Sequence, residues 1–403
     1  MKILLLTPDL PYPSESGAAL RNMGIVRGLR AARHEVDLLS FHESPAALES
    51  NPLADLCAAI HTVPLPARTR RQRLTTLLTS FSADLESRLA SAEFESALRQ
   101  LLQTESFDIV QFSGIELGGY LKLILAERGG AKVVYDALNA EADLQRVIAG
   151  VDAGRVTRLP AALYSSVQAR RLARFEASVC ASVDAVVAVS SEDRDLLQRY
   201  RGAPITVMSN GIAVADYRPP AGNSRSKRQI VFSGKMDYRP NVDAAEWLCK
   251  AVLPQVWSRE SSVRLSIVGR NPQARLSELA ADPRIQLTGW VESVLPFLHE
   301  AALFVVPLRM GSGTRLKILQ AMAAGCAVLS TSIGAAGLNS EVRCALSIAD
   351  DADEFAGAVV ALLQDDARRS ELGARALDAV GKHYDWRVLM PDLLRLYESL
   401  VGG

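Results

Sequence analysis

The chain has 403 residues, 49% hydrophobic and 22% charged, ordinary for a soluble globular protein and long for a single core. Lys plus Arg and Asp plus Glu each number 45, so no net field recruits nucleic acid or membrane, and recognition must be local. The five cysteines (Cys57, Cys180, Cys249, Cys326, Cys344) are scattered without a CxxC pair, which argues against a disulfide framework or zinc site and for a reducing compartment.

The chain opens on the strand-like run Lys2-Ile3-Leu4-Leu5-Leu6 with no signal-peptide pattern before it, and no apolar run is long enough to cross a bilayer. A cytoplasmic location is therefore expected. Short apolar runs then alternate with helical-period segments, the pattern of βαβ units and a parallel sheet, so the fold class is α/β. Strands are predicted at Ile3–Thr7, His34–Ser40, Asp108–Phe112, Lys132–Asp136 and Asp184–Val189, with a helix over Gly17–Ala32 after the first. Arg68, Arg70, Arg71 and Arg73 form a basic stretch ahead of Leu74–Leu78, read as a solvated loop and helix start, with a weak peripheral membrane contact as the alternative. A second series follows Ser209-Asn210-Gly211, with strands predicted at Gln229–Ser233, Arg264–Val268, Arg284–Thr288, Leu303–Val306 and Ala327–Ser330. The resulting division is 1–208, 209–385 and a final helical segment 386–403 that is expected to pack back on the first domain.

The most informative segment runs from Val305 to Gly325. A buried strand ends at Val306, and Gly311-Ser312-Gly313-Thr314 leads into an amphipathic helix that stops at Gly325. Glycines let a backbone approach a ligand closely, and a first helical turn offers unpaired N–H groups at a positive dipole end. Arg315 and Lys317 add charge, so a diphosphate is the natural occupant. The plain alternative is a strand-to-helix turn solving only a backbone problem. There is no Walker pattern, and no GxGxxG follows the first strand.

This segment resembles the donor-site region of glycosyltransferase family 4, retaining enzymes of the GT-B fold, in the subgroup reading G-S-G-T-R-x-K-x-x-E-A-M-A-x-G. Ser209-Asn210-Gly211-Ile212 resembles the family's P-N-G-V turn. Val231-Phe232-Ser233-Gly234-Lys235-Met236-Asp237-Tyr238 through Pro240-Asn241-Val242-Asp243 resembles its V-G-x-M-x-Y-x-P-N-V-D segment. Ser266 to Pro272, Thr288-Gly289-Trp290-Val291, and Thr7-Pro8 with Pro11, Pro13, Gly17 and Arg21 also match, so the likeness extends over almost the whole chain.

The resemblance implies two Rossmann-like doubly wound parallel-sheet domains facing across a cleft, and transfer of a sugar, hexosyltransferase-type, from a nucleotide-diphosphate sugar to an acceptor hydroxyl with retention. No cofactor or metal is expected beyond that donor. The diphosphate would lie between Lys235, with Gly234 beside it, and the amides near Gly313, Thr314 and Arg315. The base would sit near Gly289 and Val291, and the ribose near Gln320. Lys317, two residues beyond Arg315, is read as pointing to another helix face and is set aside as optional. Lys235, Arg315 and Asn139 would be the catalytic residues, and on the acceptor side stand Gly17, Arg21, Asp136 and Glu141, with Arg21 able to hold an anionic group. The acceptor itself is open between glycan, lipid-linked glycan and small molecule.

Two departures from the family pattern stand out. Gln320 occupies the place of a ribose-binding glutamate; it keeps one carbonyl acceptor and loses the charge, at a cost of about 1–2 kcal/mol. Leu138 stands in Tyr135-Asp136-Ala137-Leu138-Asn139-Ala140-Glu141 where relatives often have a histidine, and none of the five histidines replaces it by position. These motivate an alternative: a catalytically degenerate GT-B protein that binds nucleotide or glycan without transfer.

Overall fold

The computed structural model describes residues 1–13, 16–43, 51–67, 83–146, 159–311 and 315–402, without the side chains of 159–165 and 275. The basic stretch 68–73 and the glycine-turn residues Gly313 and Thr314 lie outside the described residues. The chain folds as two compact units, Met1–Asn210 with Leu389–Gly403, and Gly211–Val388.

The first unit holds a seven-stranded sheet: β1 (Lys2–Thr7), β2 (Glu35–His42), β3 (Ala59–Pro64), β4 (Ile109–Ser113), β5 (Lys132–Ala137), β6 (Ala185–Ala188) and β7 (Thr206–Val207). Its order is β3-β2-β1-β4-β5-β6-β7, every pairing parallel, with Leu5 against Leu38 on one side and Gln111 on the other. The second unit holds a six-stranded sheet: β8 (Gln229–Ser233), β9 (Arg264–Val268), β10 (Ile285–Leu287), β11 (Leu303–Val306), β12 (Val328–Ser330) and β13 (Ser347–Ile348), ordered β10-β9-β8-β11-β12-β13 and likewise parallel. Parallel strands are covered on both faces, which is why the inner strands read as unbroken apolar runs: Ile3 to Leu6 and Leu303 to Val306 are fully buried. All the predicted strands are present, their ends moved by at most two residues.

The order steps outward from β1 to β3, then returns to the other side of β1 with β4; β8 and β11 bear the same relation in the second sheet. Such a reversal leaves a crevice at the carboxyl ends of the two strands, where ligands of open α/β sheets bind. The loops after β8 and β11 therefore open onto one crevice, and those after β1 and β4 onto another.

The helix Trp386–Val401 supplies its residues from Leu389 onward to the first unit. There the Tyr397 hydroxyl donates to Gln111 Oε1 on β4, and Met390 fills the space where Gly28 would otherwise carry a Cβ.

Candidate functional site

In the second unit, chain reversal beyond β8 depends on glycine. Gly234 (φ 153°) and Gly269 (φ 151°) end β8 and β9 in a conformation that side chains resist. The two loops run backbone to backbone, with Gly234 N–H donating to Val268 O at 2.9 Å and Met236 N–H to Arg270 O at 2.9 Å. A Cβ on Gly269 would overlap the Gly234 carbonyl, and one on Gly234 would lie 2.6 Å from both Asn241 Nδ2 and Lys317 Nζ. Gly234 thus makes room for two polar side chains of its own unit.

Those side chains form the floor of the crevice. Asn241, 6% exposed on the helix Arg239–Trp247, donates from Nδ2 to the Lys235 carbonyl at 2.9 Å and accepts at Oδ1 from Lys317 Nζ at 2.8 Å. Lys317 stands on the first turn of the helix Leu316–Ala323, with its nitrogen 4.8 Å from the centre of the Phe232 ring. Burial pushes its ammonium down to about 7, and the neighbouring Arg315 charge pushes the same way. Lys317, optional in the sequence, lies in the structure against Asn241 and the space left by Gly234 at the end of β8. Arg315 is the N-cap of that helix, φ −87° and ψ 92°, and no side chain caps the terminus. Its guanidinium packs over Gly311 (φ 110°), where a Cβ would come within 2.6 Å of Nη2. Its Nε and Nη2 are buried and have no acceptor among the described residues. Burial lowers its pKa, opposed by the nearby Tyr238 hydroxyl. Lys235 sits exposed on the turn after β8 with no ion pair among the described residues. Three basic side chains thus border one crevice, and two of them are poorly compensated, the condition in which a bound anion gains most.

Around this floor, Gly289 (φ 69°) turns the chain after β10 and accepts at its carbonyl from Gly269 N–H at 3.2 Å. Trp290 is 63% exposed, and Val291 packs against the unit's core. Gln320 Nε2 donates to the Tyr217 hydroxyl at 3.0 Å, so its amide oxygen is the remaining acceptor.

The first unit differs in charge. Arg21 is 1% exposed and forks onto Asp136, Nε to Oδ2 at 2.8 Å and Nη2 to Oδ1 at 2.6 Å. Its Nη1 donates to Met208 O at 2.9 Å, Ser209 O at 3.3 Å and Asn210 Oδ1 at 3.2 Å. This corrects the expectation that Arg21 is free for an anionic group and that Asp136 faces an acceptor: each is fully committed to the interior. Gly17 is exposed at the start of the helix Gly17–Ala31, whose cap Ser16 accepts from Ala19 N–H at 3.0 Å. Asn139 Nδ2 donates to Glu141 Oε1 at 2.8 Å, and Glu141 N–H donates to Glu176 Oε1 at 2.8 Å. Burial raises the pKa of Asp9 and Glu141, and that of Glu176 to about 7. Glu176 Oε2 and the Tyr135 hydroxyl are buried with no hydrogen-bond partner among the described residues. Among the described residues, no three His, Cys, Asp or Glu side chains gather closely enough to hold a metal ion.

Residues 16–211 match the glycosyl transferase 4-like domain, and residues 227–365 match the glycosyl transferases group 1 family. The chain belongs to glycosyltransferase family 4. This family 4 chain is 30% identical over 226 residues to the phosphatidyl-myo-inositol mannosyltransferase of Mycolicibacterium smegmatis, an alignment covering 54% of the chain and 58% of that protein. The chain spans just under three fifths of the length of the first curated relatives it matches. An uncharacterized 44.6 kDa protein of the cps region of Klebsiella pneumoniae is 21% identical over 98% of the chain and 99% of its own length. Among solved structures, sucrose-phosphate synthase from Thermosynechococcus elongatus superposes with a TM-score of 0.72 at 19% identity over all of both chains. Anabaena HepE in complex with UDP and glucose gives 0.65 at 13% identity, covering 99% of this chain and all of that one. These likenesses establish the GT-B fold.

Sequence reasoning missed Asn241 and Glu176 as members of these sites. Asn241 lay inside a quoted motif, and its signal was a short amide one turn into a helix facing a glycine-terminated strand. Glu176 carried none, being one charged residue in a long helical stretch.

Proposed function

We propose that the protein transfers a sugar, of hexose type, from a nucleotide-diphosphate sugar to an acceptor hydroxyl, with retention and without a metal ion. The observation that carries this is the Arg315 guanidinium, buried at Nε and Nη2 without an acceptor among the described residues, with Lys317 nearby, at the crevice after β8 and β11. A cation left short of hydrogen bonds at a ligand crevice is stabilised by an incoming anion, and a diphosphate offers several oxygens at the required spacing.

In the reaction the bond between the anomeric carbon and the β-phosphate oxygen breaks, and its electron pair stays on the phosphate. Arg315, Lys317 and Lys235 hold the charge that develops there, which lowers the barrier more than it favours the bound ground state. The acceptor oxygen bonds to the anomeric carbon from the face the diphosphate leaves, and its proton passes to a diphosphate oxygen. No side-chain base is needed, so Leu138 in place of a histidine is compatible with turnover. HepE has been solved with UDP and with UDP-glucose, which makes uridine donors the first to try. Glycan, lipid-linked glycan and small-molecule acceptors fit the reading, and the free cysteines fit work in a reducing, cytoplasmic compartment.

The test is donor binding and transfer in wild type, Arg315→Ala and Lys235→Ala. Each variant should bind donor about 10–100-fold more weakly, the worth of one charge-assisted hydrogen bond. Unchanged affinity in both removes the assignment. Retained transfer in EDTA and an NMR assignment of the product anomer test metal independence and retention. A second reading, a nucleotide- or glycan-binding protein without transfer, is favoured by Gln320 and Leu138; binding without product across a broad donor and acceptor panel would select it.

A further inference from the structure

The two loops of the donor crevice are joined through one side chain. Asn241 reaches the Lys235 carbonyl with its nitrogen and the Lys317 nitrogen with its oxygen, while Gly234 leaves the space both occupy. For Lys317 this amide is the one hydrogen-bond acceptor among the described residues. Its nitrogen also lies 4.8 Å from the centre of the Phe232 ring, and the Arg315 charge acts on it. Among the described residues no carboxylate pairs with it: Asp243, on the same helix as Asn241, is forked by Arg309 at 2.8 and 3.1 Å, and Tyr238 acts on Arg315.

We propose that Asn241 is the positioning residue of this anion site: it holds the Lys317 nitrogen on an uncharged acceptor tied to the Lys235 carbonyl, so that the counter-charge for Lys317, and with it a proton from solvent, arrives with an entering diphosphate. The inference rests on the donor reading above and adds to it a residue and a proton. A neutral amide can orient the nitrogen without supplying the charge that would keep it protonated. The entering diphosphate supplies that charge, so binding and protonation are linked. The direction of the Lys317 shift agrees, since burial and Arg315 both favour the neutral form in the unliganded protein. Affinity is then greatest below about pH 7 and falls as the pH rises above it, until the pKa of the bound state is passed.

The experiment is isothermal titration calorimetry near pH 8 in two buffers of different ionisation enthalpy. The probe is whichever of UDP-glucose, GDP-mannose and ADP-glucose binds wild type; the phosphodiester charges of all three are constant in this range. Wild type should take up at least about half a proton per probe bound. Asn241→Asp keeps the shape and adds a carboxylate that holds the ammonium charged beforehand. It should lower affinity about tenfold or more and abolish the uptake. Lys317→Met should abolish the uptake as well, and it carries the test should Asn241→Asp not fold. A merely structural role for Asn241 would weaken binding in Asn241→Asp and leave the uptake intact, which overturns the proposal. So does wild-type binding with no uptake, and in that case the donor reading stands. If none of the three probes binds wild type, both fall together.

Discussion

Replacing Arg21 by methionine separates a structural from a substrate-binding role for a buried charge of the first unit. The side chains of Arg21 and Asp136 are both fully buried, and the guanidinium makes five hydrogen bonds from three nitrogens. Methionine keeps most of the volume and leaves the Asp136 carboxylate with Ser113 Oγ, at 3.3 Å, as its side-chain donor. Removing one partner of a buried pair costs about 3–5 kcal/mol, because the other charge stays in the interior without compensation. Against a usual total of about 5–15 kcal/mol, that is a large part of the unit's stability. For a unit of this size each kcal/mol corresponds to about 2–4 °C, so its melting transition should fall by about 6–20 °C. Scanning calorimetry should show this loss in the transition of the first unit alone. The double variant Arg21→Met with Asp136→Leu removes both charges and should melt higher than either single variant. If Arg21→Met melts within a degree or two of wild type and instead loses acceptor affinity, the structural reasoning is wrong and Arg21 belongs to the substrate.

Gly269→Ala would strain a φ of 151° and drive a methyl into the Gly234 carbonyl; it should cost about 1–3 kcal/mol and weaken donor binding, measured by the ligand-induced melting shift. Glu176 has a native pKa raised from 4.5 to about 7, so the folded state binds the extra proton between those values and stability falls as pH rises through that window. Glu176→Gln should flatten this fall and make the first unit relatively more stable near pH 8; denaturation midpoints at about pH 5 and pH 8 that shift equally in both proteins would contradict it.

The inner strands were legible because burial on both faces writes itself as a continuous apolar run. Three strands were missed for the converse reason. β7 and β13 have two residues each, and β3 lies at the sheet edge with most of its residues half-buried, so none makes a run that stands out. The crevice was legible through its glycines and Arg315, but the reading of Lys317 failed on a local point. The argument from helix faces assumed that Arg315 and Lys317 share one helix, whereas Arg315 is the non-helical cap and the spacing rule starts only at Leu316. Arg21 misled for a different reason: an arginine in the second turn of a helix looks the same in sequence whether it faces solvent or a carboxylate 115 positions later.

The first unit is completed by the last fifteen residues of the chain, Leu389–Gly403, whereas the second is continuous from Gly211 to Val388. On the ribosome the second unit therefore has its whole sequence before the first does, although it is made later. Until the terminal helix emerges, the nascent first unit lacks Met390 against Gly28 and Tyr397 against Gln111. A chain stopped at Val388 would carry the whole second unit and leave Gly28 and Gln111 of the first without Met390 and Tyr397.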